Sequence, residues 1–218
     1  MLFRPMNFIP EPHVLIAYTL ASLVLFITPG PDMSLFLART LSNGTRAGVA
    51  SSLGSNAGGL VHTALAALGI SALVAASTAA FTVLKIIGAG YLLYLAYDAL
   101  RNGSALNVKA MERRPVSWWR SFAAGFMMDM TNPKVVLFFI TFLPQFVAAD
   151  DPDLRGKLLF LGLWLVAIFT PLSIAMVLVA ERFVHWLKTR PRVLRGIDYT
   201  FAGVFGYFAV KIALTQGR

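Results

Sequence analysis

The sequence predicts an all-α polytopic membrane protein, with six transmembrane helices arranged as two inverted three-helix repeats. Three observations carry this. First, 57% of the 218 residues are apolar and only 13% are charged, too few to cover a soluble surface of this length. Second, the apolar residues fall in blocks of about 20, which match the thickness of a bilayer core. Third, two of these blocks are broken near their middles by proline, at "TPGPD" (28–32) and "TNPK" (131–134).

Taken in order, the first span covers about 14–41 and is broken at 28–32. Arg4 before the apolar run 14–27 also fits a cleavable signal peptide. No small-x-small cleavage site follows, however, and the apolar character resumes beyond the break. The second span, about 48–75, opens with the small-residue stretch "GVASSLGSNAGGLVHTA", which lets neighbouring helices approach closely or closes a dimer. The third, about 81–100, carries Tyr91, Tyr94 and Tyr97, read as packing aromatics first and pocket lining second. A basic loop at 101–120 ends in Trp118 and Trp119, whose indoles favour the headgroup level. The fourth span, about 121–147, is broken at Asn132 and Pro133, and the fifth covers about 157–179. The connector 181–195, with Trp186, Lys188, Arg190 and Arg192, reads as a short interfacial helix before the sixth span at about 196–214. Glu181 and Asp198 read as helix-end or loop residues.

The formal charge of +9 is explained by topology, because the basic residues lie in loops, and no nucleic-acid partner is expected. With the N-terminus outside, the inner side holds Arg39, Arg46, Arg101, Lys109, Arg113, Arg114, Arg120, Arg182, Lys188, Arg190, Arg192 and Arg195. The outer side holds Arg4, Lys85, Arg155, Lys157, Lys211 and Arg218, half as many. Both termini are therefore expected outside. The absence of cysteine excludes disulfides, thiol relays and cysteine-bound metals.

The two halves match in register. Each opens with a proline-broken helix. Each second helix begins Gly-x5-Gly, at Gly48 and Gly54 and at Gly156 and Gly162, and each third helix carries "GYLLY" (90–94) or "GYFAV" (206–210). One membrane domain over 1–218, built from repeats at about 13–100 and 121–214, follows. An odd number of spans per half inverts the second copy, and paired broken helices point to a transporter with its site between them.

Proline removes a backbone donor, and Gly30 between Pro29 and Pro31 loosens the chain further. In lipid the freed groups must face protein or a water-filled cavity. The half-helix starting near Met33 offers unpaired N–H groups to an anion. Asp32 at that boundary is either its N-cap or a binding and proton-carrying carboxylate. In the partner break, Asn132 offers a donor and an acceptor, and Lys134 is a deep cation in need of a counter-charge. Asp32 and Lys134 are expected to face each other, with a zwitterionic amino acid competing for the pair. The candidate substrate-binding residues are Thr28, Pro29, Gly30, Pro31, Asp32, Asn56, Asn132, Pro133 and Lys134. The candidate proton-coupling residues are Asp32, His62 and Asp129. His62 is either a neutral packing histidine or a relay with Asp32. Asp129 is either a second proton site or a solvated residue at a cavity mouth.

With these motifs in place, the chain resembles the lysine exporter / homoserine–threonine resistance (LysE/RhtB) family. The likeness lies in "TPGPD" (28–32), "NGTRAGVAS" (43–51), "GSNAGGLVH" (54–62), "LKIIGAGYLLYLAYDAL" (84–100), "TNPK" (131–134) and "FLPQF" (142–146), in order over about 14–214. The resemblance implies a carrier in the bacterial inner membrane that expels amino acids or close analogues, driven by the proton gradient. It implies roles for Thr28 to Asp32 and for Asn132 to Lys134. It makes Gly44, Arg46 and Gly48 a structural turn on the cytoplasmic side. Asp129 departs from the family, where Asn is commoner, and an extra acid favours a cationic substrate. The expected partners are an amino acid, protons and the bilayer, with a homodimer possible, and no cofactor or metal is called for. Export of another solute or a cation is the alternative, disfavoured for soft metals by three histidines and no cysteine. A membrane enzyme, electron-transfer or assembly subunit fits worse, because no nucleophile–base cluster or metal motif is spaced for it.

Overall fold

The computed structural model describes residues 8–103 and 116–215, and every regular element among them is helical. Most of the basic loop, 104–115, lies outside the described residues. Helices α1 (Pro12–Ile27) and α2 (Pro31–Asn43) meet at 52°. Helix α5 (Trp118–Thr131) meets the segment Pro133–Phe146 at the same angle. That segment begins as α6 (Pro133–Leu137), widens into one π turn (Phe138–Phe142) and closes as a 3-10 turn (Leu143–Phe146). The unbroken helices are α3 (Thr45–Ala76), α4 (Thr78–Asn102), α7 (Leu154–Leu178) and α9 (Pro191–Thr215), with the short α8 (Ala180–Thr189) between the last two.

Proline explains where the broken helices restart. Pro31 and Pro133 each open their new helix, where the missing N–H costs nothing and the fixed φ suits the first turn. Gly30 contributes less than expected. Its φ of −154° and ψ of −177° are extended backbone that any residue adopts, so the bend does not depend on glycine's freedom. Gly44 is different. Its φ of +87° makes a one-residue turn that ends α2 and starts α3.

By length and apolarity, α3, the stretch Thr82–Asn102 of α4, and α7 are each able to cross a bilayer, and counting each bent pair as one span brings the number to five. The expected sixth span falls in α9, which is 25 residues long but diluted by Tyr199, Tyr207 and Lys211, and does not reach the same apolarity.

Helix α3 lies against α2, α5 and α7. Glycines on both sides of the α3–α5 seam put backbone on backbone: a Cβ on Gly54 of α3 would run into the Phe122 carbonyl, and one on Gly125 of α5 into the Ser51 carbonyl. Ser51 Oγ donates to the Ser121 carbonyl at 3.1 Å across the same seam. Gly162 of α7 faces Thr63 of α3 in the same close manner. The small-residue faces therefore close the bundle itself.

Two apolar cores result. The larger joins Tyr18 and Leu25 of α1 to Phe138, Phe139 and Phe142 of the π turn and to Phe201 and Phe205 of α9. The smaller joins Met33, Phe36 and Leu37 of α2 to Met176 and Val177 of α7 and to Ala180 and Val184 of α8. Helix α8 buries Ala180, Val184 and Leu187 on one stripe and exposes Trp186, the amphipathic pattern expected of the connector. Pro191 opens α9, so the sixth long helix starts five residues ahead of its expected boundary. Glu181 lies in the first turn of α8, whereas Asp198 is no loop residue: it is buried inside α9 and faces Gly103 at the end of α4. Tyr94 and Tyr97 are exposed, as are Ile86 and Ile87 of the same helix, and neither tyrosine lines the cavity described below.

The glycine seam makes a direct prediction. Gly125→Val should lower the thermal stability of the detergent-solubilised protein by about 2 kcal/mol or more, because backbone rather than a flexible side chain must yield. Gly69→Ala, with open space around it, should be neutral or stabilising by up to about 1 kcal/mol. Tryptophan-monitored melting of both variants checks the contrast.

Candidate functional site

The two breaks meet and are joined by Asn132. Its Nδ2 donates to Asp32 Oδ2 at 2.5 Å. Its Oδ1 accepts from the Lys134 backbone N–H at 3.0 Å and so caps α6. Its own backbone N–H closes α5 on the Asp129 carbonyl at 3.2 Å. One side chain thus ends one helix, starts the next and reaches across to the other break.

Asp32 and Lys134 border the same cavity, but each makes its hydrogen bonds elsewhere. Lys134 Nζ donates to the Leu25 and Thr28 carbonyls at 3.1 and 2.9 Å, and lies 5.4 Å from the centre of the Phe201 ring. The end of α1 explains this. Its last carbonyls lose their intrahelical donors at the break and carry the negative end of the helix dipole, so a buried ammonium suits them. Asp32 does not cap α2 either. The N-cap is Gly30, and Asp32 stands in the first turn without a side-chain capping bond. It still occupies the positive end of α2, and its Oδ1 has no hydrogen-bond partner among the described residues.

Asp129 is buried, which removes the reading of a solvated residue at a cavity mouth. Ser55 Oγ donates to its Oδ1 at 3.3 Å. His62 Nε2 lies 3.3 Å from its backbone carbonyl and 3.5 Å from its Oδ2. The His62 ring stacks on Phe139 at 5.4 Å. The histidine's polar neighbour is therefore Asp129, rather than Asp32. Gly58 admits the acid to the α3 seam, since a Cβ there would overlap the Asp129 carboxylate. Asn56 Nδ2 donates to the Ser52 carbonyl at 2.9 Å and to Ser173 Oγ of α7 at 3.1 Å.

These groups border a cavity of about 110 Å³. Thr28, Gly30, Asp32, Asn56, Asp129, Asn132 and Lys134 line it, while Pro29, Pro31 and Pro133 shape the bends without lining it, and His62 stands behind Asp129. Ser52, Ser55 and Ser173 also line it, and most of the remaining wall is apolar, with Phe26, Phe138, Phe139, Leu165 and Phe169. A charged wall facing an aromatic wall suits a small zwitterion with an apolar side chain. Ser55, Gly58, Ser173 and the phenylalanines were not singled out from sequence as site residues. Serine and phenylalanine carry no local signal that separates pocket from packing, and Gly58 was legible only as one small residue among several.

A sequence model of the LysE type translocator family matches residues 23–216. The chain belongs to this family. Among the relatives of this LysE type translocator, the homoserine/homoserine lactone efflux protein of Salmonella typhimurium is 28% identical over 189 residues, which are 87% of this chain and 90% of the relative. The leucine efflux protein of Salmonella choleraesuis is 24% identical over 200 residues, 91% and 94% of the two chains. The uncharacterized membrane protein YrhP of Bacillus subtilis is 30% identical over 184 residues, 81% and 87% of the two. No solved structure matches the translocator.

The triple role of Asn132 is testable by parts. Asn132→Ala removes the α6 cap and the donor to Asp32, and should cost about 2 kcal/mol or more of stability. Asn132→Ser restores the cap but does not reach Asp32, and should recover about 1 kcal/mol of that loss. Thermal unfolding of the two variants in detergent separates the terms.

Proposed function

We propose that the protein exports an amino acid or close analogue from the cytoplasm, by alternating access, in exchange for protons. The observation that carries this is the meeting of two proline-broken helices at a cavity bordered by Asp32, Asn132 and Lys134. The efflux names of the Salmonella relatives support amino-acid export. In this reading the substrate ammonium meets Asp32, its carboxylate meets Lys134 or the N-terminus of α2, and its side chain enters the aromatic end. Thr28, Gly30, Asn56 and Asn132 complete the lining, and Pro29, Pro31 and Pro133 hold the two bends open. The work is transport rather than catalysis.

The architecture we propose is one domain with six spans, α9 being the last. Helices α1–α2, α3 and α4 form one repeat, and α5–α6, α7 and α9 its inverted copy. The equal 52° bends support the pairing of the broken spans. The excess of Arg and Lys in the loops assigned to the inside supports an inner-membrane orientation with both termini outside.

Reconstituted liposomes loaded with a panel of amino acids and subjected to a pH gradient test the reading, with mass spectrometry of what leaves. Gradient-dependent loss of one or a few amino acids is expected, reduced about 100-fold or more in Asp32→Asn, where a buried charged contact to the substrate ammonium is lost. Retention of every amino acid by folded protein, or full transport by Asp32→Asn, rejects it.

A further inference from the structure

We propose that Asp129 and His62 together form the proton-binding site of the transport cycle, separate from the Asp32 end that receives the substrate. The inference deepens the export reading above and rests on it for its role in the cycle, but the site itself is argued from geometry alone.

Asp129 is 5% exposed and His62 6%. The carboxylate receives one neutral hydrogen bond, from Ser55, and its Oδ2 has no hydrogen-bond partner among the described residues. A carboxylate this deep needs a proton or a cation. Lys134, the ammonium bordering the same cavity, is already held by the Leu25 and Thr28 carbonyls. A proton is then the simplest occupant, and the two heavy atoms that share it are in place. On Oδ2 it is offered to a bare His62 Nε2 across 3.5 Å. On the imidazole, the Nε2–H faces both Oδ2 and the Asp129 carbonyl, 3.3 Å away. The proton passes between these positions without movement of either helix, and both balance as carboxylate plus proton giving one acid on the pair.

The surroundings isolate the pair from bulk water and tie it to the substrate end. Helix α3 supplies His62 and the bare Gly58, where a Cβ would stand 2.9 Å from Asp129 Cβ and Cγ. Helix α2 supplies Asp32, α6 supplies Lys134, and α7 supplies the uncharged Ser173 and Phe169. The Asp129 carbonyl holds the backbone N–H of Asn132, whose side chain holds Asp32. An ionised Asp129 adds negative potential to the wall that attracts an ammonium, and a protonated one withdraws it. Proton and substrate therefore oppose each other across one asparagine, the relation that an exchanger requires.

Infrared difference spectra between mildly acidic and mildly alkaline buffer test the site without any substrate. A protonated-carboxyl band is expected that vanishes in Asp129→Asn, shifts in His62→Gln and persists in Asp32→Asn. A band unchanged in folded Asp129→Asn overturns the proposal and leaves the pair as a packing contact. With a transported amino acid in hand, two rates are compared in liposomes: gradient-driven export, and exchange of labelled for unlabelled substrate without a gradient. The ratio of driven transport to exchange should fall about ten-fold or more in Asp129→Asn and in His62→Gln, the second variant serving if the first does not fold. An equal loss of both rates overturns the proposal by placing Asp129 in the substrate site, and so does an unchanged ratio. If wild-type protein moves no amino acid but the Asp129 band is present, the export reading fails while the proton site stands.

Discussion

The hydrogen bond from Asn132 to Asp32 is the constraint on which the rest of the site depends. A helix broken inside a bilayer leaves carbonyls and N–H groups that lipid cannot satisfy. Here the first break is completed by residues of the second, which caps itself through Asn132. Asn132 reaches from the second break to the acid of the first, and Lys134 reaches from the second break to the orphan carbonyls of the first. The first broken helix is not satisfied alone, and the cavity lies where the second break reaches across to complete it.

The packing divides along the same line. Helix α1 belongs to the larger aromatic core with the π turn and α9, whereas α2 belongs to the smaller core with the end of α7 and α8. The two halves of the first broken span therefore pack mainly in different apolar cores, and 28–30 joins them. The polar bonds at the break fall on Asp32, Asn132 and Lys134, while Phe26 meets Phe169 at 5.0 Å and α7 runs through both cores. A helix pair that shared one continuous core would have to break close apolar packing in order to move. This one has its polar contacts where its apolar packing changes partners.

Much of this was legible in the chain, for identifiable reasons. Proline and its neighbours punctuate strongly, so both breaks and the short amphipathic α8 were readable, although the first restart, expected near Met33, falls at Pro31. Asp129 and His62 were visible as residues but not as a pair, because their meeting depends on the close α3–α5 seam opened by Gly54, Gly58 and Gly125. Lys134 was read as needing a counter-charge, and an acid is the counter-charge a sequence can show. Its actual partners are backbone carbonyls, which every residue has and no sequence marks. Gly30 was credited with conformational freedom that its extended backbone does not use.

The partners of Asp32 and Lys134 also decide how a substrate can act. A zwitterion entering the cavity offers an ammonium to Asp32 in competition with the Asn132 amide. It offers a carboxylate to Lys134 in competition with two backbone carbonyls. The bonds in place already have one charged partner each, the class worth about 1.5–3 kcal/mol, so the substrate competes by bringing a second, opposite charge to each group. Each exchange removes a bond that ties the two breaks together. A ligand shifts a conformational equilibrium only by its differential affinity for the two states. On the export reading proposed above, a substrate that releases Asn132 from Asp32 and Lys134 from α1 supplies that difference, and favours a state in which the broken helices are no longer tied.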